Sequence, residues 1–240
     1  MQARNTRQGM SIACMGALVG LLALGPAVAL GQEAPKDVLI LGDSIMQAVA
    51  RSFERQLGRH AGFQAASFTR IGSGLARLDV FDWHVRIEQL VAERQPGLVL
   101  VMMGANDNQP MQTDGNEVVQ TRTAAWETEY GARIGRAMDI LLEGGATQIH
   151  WLELPDVRDT HLQQDIESIN QLIRTEAAAR PQVTFQETRS VLSRTPGTYT
   201  AYVIQANGMP LNIRDRDGIH LNRAGADLLV TEMLARIWGL

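Results

Sequence analysis

Cysteine is almost missing from this chain: Cys14 is the only one in 240 residues. It lies early in a short apolar run, too early for a convincing lipidation site. The rest of the chain is left without disulfides or thiolate chemistry. Basic runs are missing as well. The formal net charge is −4, and it becomes −6 once residues 1–31, with two arginines and no acid, are set aside. An acidic domain of this kind argues against nucleic acid or anionic lipid as the main partner. His60, His84, His150 and His161 show no paired spacing such as H-E-x-x-H, so no metal is expected. No Walker loop occurs, and Gly72-x-Gly74 lacks both a third glycine and a helix to open, so no nucleotide cofactor is expected either. Linkers, low-complexity stretches and internal repeats are all absent. The expectation is one domain, residues 33–240.

The N-terminus has the layout of a secretory signal. Arg4 and Arg7 precede an apolar run over residues 12–24, then Gly25-Pro26 and the small-residue pattern Ala27-Val28-Ala29. Residues 1–31 are read as a signal peptide cleaved near 29–31, after Ala29 or after Gly31. An uncleaved anchor is the alternative and would give the only membrane attachment, since no second segment reaches spanning length. Either way the two arginines hold the N-terminus inside, and the folded part is expected to be periplasmic or secreted.

Five short apolar runs, 38–41, 63–68, 98–103, 148–152 and 183–185, read as strands. Helical patterns stand between them. Ile45, Val49, Phe53 and Leu57 recur every four residues and mark one buried face. Further helices are expected over about 82–94, with Asp82 as N-cap, and over about 121–143, 161–179 and 223–238. Strands that are apolar along their whole length and alternate with helices indicate a parallel sheet covered on both faces, hence the α/β class. Residues 108–120 read as a polar loop. Residues 193–214 read as a β-hairpin turning at Asn207-Gly208.

Four short blocks carry the chemistry. In "GDS", Gly42 to Ser44, the serine is either a helix N-cap or a nucleophile aided by the positive end of the helix dipole. In "DGIH", His220 can take the serine proton if Asp217, three residues earlier, fixes its tautomer; the alternative is an ordinary polar turn. In "MMGANDNQ" the Asn106 amide can donate to a developing oxyanion, or the Asn-Asp pair simply forms a loop. In "TRIGSGLAR" the glycines let a backbone N–H approach the same oxygen, with Gly74 preferred over Gly72.

Together, in the chain order GDS, TRIGSGLAR, MMGANDNQ, DGIH, the four blocks resemble the SGNH (GDSL-like) hydrolase superfamily, in particular an exported bacterial branch of poorly defined substrate. The resemblance runs from about Val38 to Leu229. "FDWHVRIEQL", the Trp126/Tyr130/Arg133 spacing, "WLELPDVRD" and "IRDRDGIHL" add to it, and Ile45 departs from the usual leucine. It implies a flavodoxin-like three-layer α/β/α sandwich with a five-stranded parallel sheet. It implies Ser44 as nucleophile, His220 as base and Asp217 as its partner. It also implies an oxyanion hole from the Ser44 and Gly74 N–H groups and the Asn106 side chain.

The expected activity is that of an exported serine esterase removing a small acyl group, O-acetyl above all, from a carbohydrate or cell-envelope substrate. The alternatives are a polysaccharide O-acyltransferase with the same three residues, and a non-catalytic carbohydrate-binding or assembly protein. Trp83, Arg158 and Arg214 are candidates for substrate binding, Trp83 as a stacking platform and the arginines for an acidic substrate. Trp126, Trp151 and Arg70 are further candidates. Core packing is the competing reading for the tryptophans, and a structural or solvated role for the arginines.

Overall fold

Residues Lys36–Gly42 form β1 with the burial pattern of a central strand, its last five residues wholly enclosed. The computed structural model describes residues 1–2 and 36–240; the expected signal peptide, beyond its first two residues, lies outside them. After β1 come α1 (Ser44–Leu57), β2 (Phe63–Thr69), α2 (Trp83–Arg94) and β3 (Leu98–Met102). The chain continues through β4 (Met111–Gln112), β5 (Val118–Val119), α3 (Ala124–Glu143), β6 (Gln148–Leu152) and α4 (Thr160–Ala178). It ends with β7 (Val183–Gln186), α5 (Arg189–Leu192), β8 (Tyr202–Ile204), β9 (Pro210–Asn212) and α6 (Arg223–Trp238).

The main sheet is parallel, in the order β2-β1-β3-β6-β7. Helices cover both faces: α1 packs with α6, while α2, α3 and α4 lie in a row. This is the doubly wound flavodoxin-like order, whose ligand crevice opens beyond the carboxyl ends of the strands where the winding reverses, between β1 and β3. All five expected strands are present; β1, β3 and β6 are apolar and buried along most of their length, while the edge strands β2 and β7 are half-covered. Asp82 caps α2 as expected, accepting from the Val85 N–H at 3.1 Å.

Three segments depart from expectation. Residues 108–120 are not all loop: β4 and β5 pair antiparallel, and the wholly buried Met111 anchors the ladder. The short α5 follows β7, where no helical pattern is long enough to show. The 193–214 hairpin forms as β8 and β9, shorter than its apolar stretches suggest.

Candidate active site

The junction of β1 and α1 decides what Ser44 is free to do. The N-cap of α1 is Asp43, whose Oδ1 accepts from the Ile45 N–H at 2.8 Å. Ser44 is the first helical residue and its hydroxyl has no capping duty. Its N–H belongs to the first turn of a helix, where no intrahelical acceptor exists. The other oxygen of Asp43 accepts from the Gly104 and Ala105 N–H groups at 2.9 and 3.1 Å, tying the β1–α1 junction to the loop after β3. Burial raises the Asp43 carboxyl to about 6, against the pull of these backbone donors, and the nearby Asp107 charge adds to the rise.

Ser44 Oγ lies 2.9 Å from His220 Nε2, and His220 Nδ1 lies 2.7 Å from Asp217 Oδ2. An ionised carboxylate only accepts, so Nδ1 carries the hydrogen and Nε2 is left to accept from the serine. The other Asp217 oxygen accepts from the Ile219 and His220 N–H groups at 2.8 and 3.0 Å. Partial burial works against ionisation of Asp217, but the His220 hydrogen bond and these donors outweigh it and hold the carboxyl below its ordinary value. The loop closes on itself through an Arg214–Leu221 bridge and an Asp215 N–H to His220 carbonyl bond of 3.0 Å.

The loop after β2 and the loop after β3 are bound together. Asn106 Nδ2 donates to the Ser73 carbonyl at 3.0 Å, which places its amide against the Ser73–Gly74 peptide. That nitrogen has a second hydrogen to give. Asp107, wholly buried, accepts from the Leu75 and Ala76 N–H groups at 2.9 Å each and from the Tyr130 hydroxyl at 2.6 Å. A Cβ on Gly74 would stand 2.1 Å from an Asp107 oxygen, so only glycine lets the 74–76 backbone wrap this carboxylate. From α3, Arg133 donates to the Leu75 and Ala76 carbonyls at 3.0 Å each, and Trp126 to the Gln109 carbonyl at 2.9 Å. The Trp126/Tyr130/Arg133 spacing is thus one face of α3 gripping both loops.

The family described as a protein of unknown function (DUF459) matches residues 37–236. The chain belongs to this family. No curated protein matches its sequence. Among solved structures, the DUF459 chain is similar to a candidate platelet activating factor from Streptococcus pneumonia, 17% identical, with a TM-score of 0.56 over 88% of this chain and 87% of that one. It is similar to a candidate SGNH hydrolase from Slackia heliotrinireducens, 14% identical, TM-score 0.56, over 83% and 97%. It is also similar to a family two carbohydrate esterase from Cellvibrio japonicus, 15% identical, TM-score 0.52, over 85% of this chain and 62% of that one. At these identities the likeness is one of fold, and the fold of the DUF459 chain is that of the SGNH hydrolases.

The substrate-binding candidates need correction. Trp83 is wholly buried, edge-on to Phe68 and Phe81, and its indole N–H donates to Ser73 Oγ at 3.0 Å. It supports the loop before Gly74 and offers no face to a ligand; Trp126 and Trp151 are buried too. Arg214 is buried under the 215–220 loop, donating to the Ile219 carbonyl at 3.0 Å, with its guanidinium over the Tyr199 ring. Arg158 is exposed but spends one guanidinium nitrogen on the Arg216 and Asp217 carbonyls, 2.9 Å each. Both arginines hold the 215–220 loop in place. Sequence reasoning missed Asp43 and Asp107. An aspartate directly before an amphipathic pattern is a capping signal and could have exposed the first; only the folded loops reveal the second.

Proposed function

We propose that the protein is an exported serine esterase that removes a small acyl group, O-acetyl above all, from a carbohydrate or cell-envelope substrate. The continuous hydrogen-bonded line from Asp217 through His220 to Ser44 carries this reading. His220 Nε2 takes the hydroxyl proton as Ser44 Oγ attacks the ester carbonyl. The resulting oxyanion is held by the Ser44 N–H, the Gly74 N–H and the second Asn106 amide hydrogen. Collapse breaks the bond to the alcohol, which leaves with the proton from His220. Water then adds to the acyl-serine, giving its proton to His220, and the acid is released as Ser44 regains its hydrogen. The carbohydrate esterase among structures of the same fold supports the substrate class.

The test is hydrolysis of 4-nitrophenyl acetate and longer-chain esters by the wild type and by Ser44→Ala. Turnover should fall by at least about 10³-fold in the variant, in line with the loss of a triad member elsewhere. Equal turnover in the two proteins would sink the reading. Export is tested by the mass of the protein recovered outside the cytoplasm: a mature N-terminus at Leu30 or Gln32 is expected, and an intact Met1 would refute cleavage.

A further inference from the structure

A groove of about 760 Å³ runs from the reacting serine and histidine between α1 and α6. One stripe of α1 lines it, Ser44, Gln47, Ala48, Arg51, Ser52 and Arg55, at the spacing of a single helix face. Arg51 stands seven residues beyond Ser44, about 10 Å along the axis. Across the groove, α6 contributes Arg223, Ala226 and Asp227.

The three arginines differ in occupation. Arg55 is bound to Asp227, which also accepts from Ser52 Oγ at 2.6 Å. Arg51 donates no side-chain hydrogen bond to any described residue and is exposed. Arg223 only comes within 3.9 Å of the same Asp227, and its side chain is 84% exposed. It is also the first residue of α6, where the positive end of the helix dipole disfavours a cation. Among the described residues, Asp227 engages Arg55 closely and Arg223 only at 3.9 Å, and Arg51 has no side-chain partner. The exposed carboxylate of Asp215 lines the groove beside His220.

His220, Asp215 and Leu221 line the groove together with Ser44 and, from the loop after β2, Ile71, whereas Asn106 and Gly74 do not. In acyl transfer the oxyanion sits with its donors, and the leaving oxygen faces the group that returns its proton. The alcohol half of an ester therefore extends into the groove. We propose that Arg51 and Arg223 bind an anionic group, a carboxylate or a phosphate, carried by the alcohol half of the substrate. Guanidinium forks suit both oxyanions. This rests on the esterase reading and narrows it to acyl esters of acidic sugars or other acidic alcohols. Gln47, exposed on the same face of α1, supplies a neutral group for a hydroxyl between the two ends, whereas the Asn222 side chain is spent on capping α6.

Binding to the Ser44→Ala protein, measured by calorimetry at low salt, tests the proposal without turnover. Trigalacturonate should bind at least about tenfold more tightly than maltotriose, and the advantage should vanish in a variant that also carries Arg51→Gln and Arg223→Gln. Glycerol 1-phosphate against glycerol is the second arm; an arginine-dependent preference there alone assigns the anion as phosphate. Acidic and neutral ligands binding alike in both arms would overturn the proposal, as would a preference that survives the arginine substitutions. Both side chains are exposed, so thermal unfolding of the variants should match the parent. Wild-type turnover of 4-nitrophenyl acetate reports on the esterase reading separately, so a failure of either is seen apart from the other.

Discussion

Asp43 and Asp107 are the two carboxylates on which the relative placement of Ser44, Asn106 and Gly74 depends. Asp43 spans from the first turn of α1 to the loop carrying Asn106, and Asp107 spans from that loop to the one carrying Gly74. In Asp43→Asn the amide presents donors toward some of the N–H groups that the carboxylate accepted, so the Asn106 loop must shift while Ser44 remains. We expect kcat to fall by about 10²-fold, the scale of losing one oxyanion donor, with KM changed far less; steady-state kinetics on 4-nitrophenyl acetate decide it. The same residue leaves a pH signature. Its carboxyl is raised in the folded state from 3.8 to about 6, so the fold holds its proton where the unfolded chain has lost it. The stability this gives is complete below the unfolded value and is lost as pH rises through about 6. Urea unfolding should show the wild type losing more stability between pH 5 and 7 than Asp43→Asn, by roughly 1 kcal/mol. Burial pushes Asp107 in the same direction, so the variant keeps part of the slope.

At the scale of elements, the loop between β9 and α6 is held by what surrounds it. Gly218 has φ +77, and a Cβ there would lie 2.7 Å from the Arg158 side chain. In Gly218→Ala, strain of about 1–3 kcal/mol meets the arginine that braces Asp217, and kcat should drop about tenfold or more with the main sheet intact. Near-ultraviolet circular dichroism beside the kinetics checks both halves of that statement. This loop also marks where sequence reading stops. Asp217 and His220 are legible because their spacing is local and their chemistry is specific. Arg214 reads as a loop cation free for substrate, yet it is buried, because burial depends on the loop folding back through the Asp215–His220 bond. Trp83 is misread for a related reason: a tryptophan at a helix start looks alike whether it faces a cleft or the core.

Over the whole molecule, the parallel sheet was legible because strands buried on both faces leave unbroken apolar runs, and the order of four motifs located the edge where chemistry gathers. The pieces that escaped are small or depend on distant contacts: the two-residue β4 and β5, the single-turn α5, and the unspent charges of Arg51 and Arg223, which look in sequence like any solvated helix face. Residues Ala34–Leu240 form one unit by their internal contacts. A protein beginning at Ala34 should therefore unfold in one cooperative urea transition and keep the Ser44-dependent turnover of the full chain; a second transition would contradict this.

The hydrogen bond between Asp217 and His220 joins residues three apart, whereas the one between His220 and Ser44 joins residues 176 apart. His220 thus arrives with its partner already in place, and the only long-distance join in the line is the one to Ser44. If the chain is severed at the exposed turn around Gly115, one fragment holds Ser44 and the other the finished Asp217–His220 pair. Any ester turnover regained on mixing them would then be a direct count of reassembled molecules.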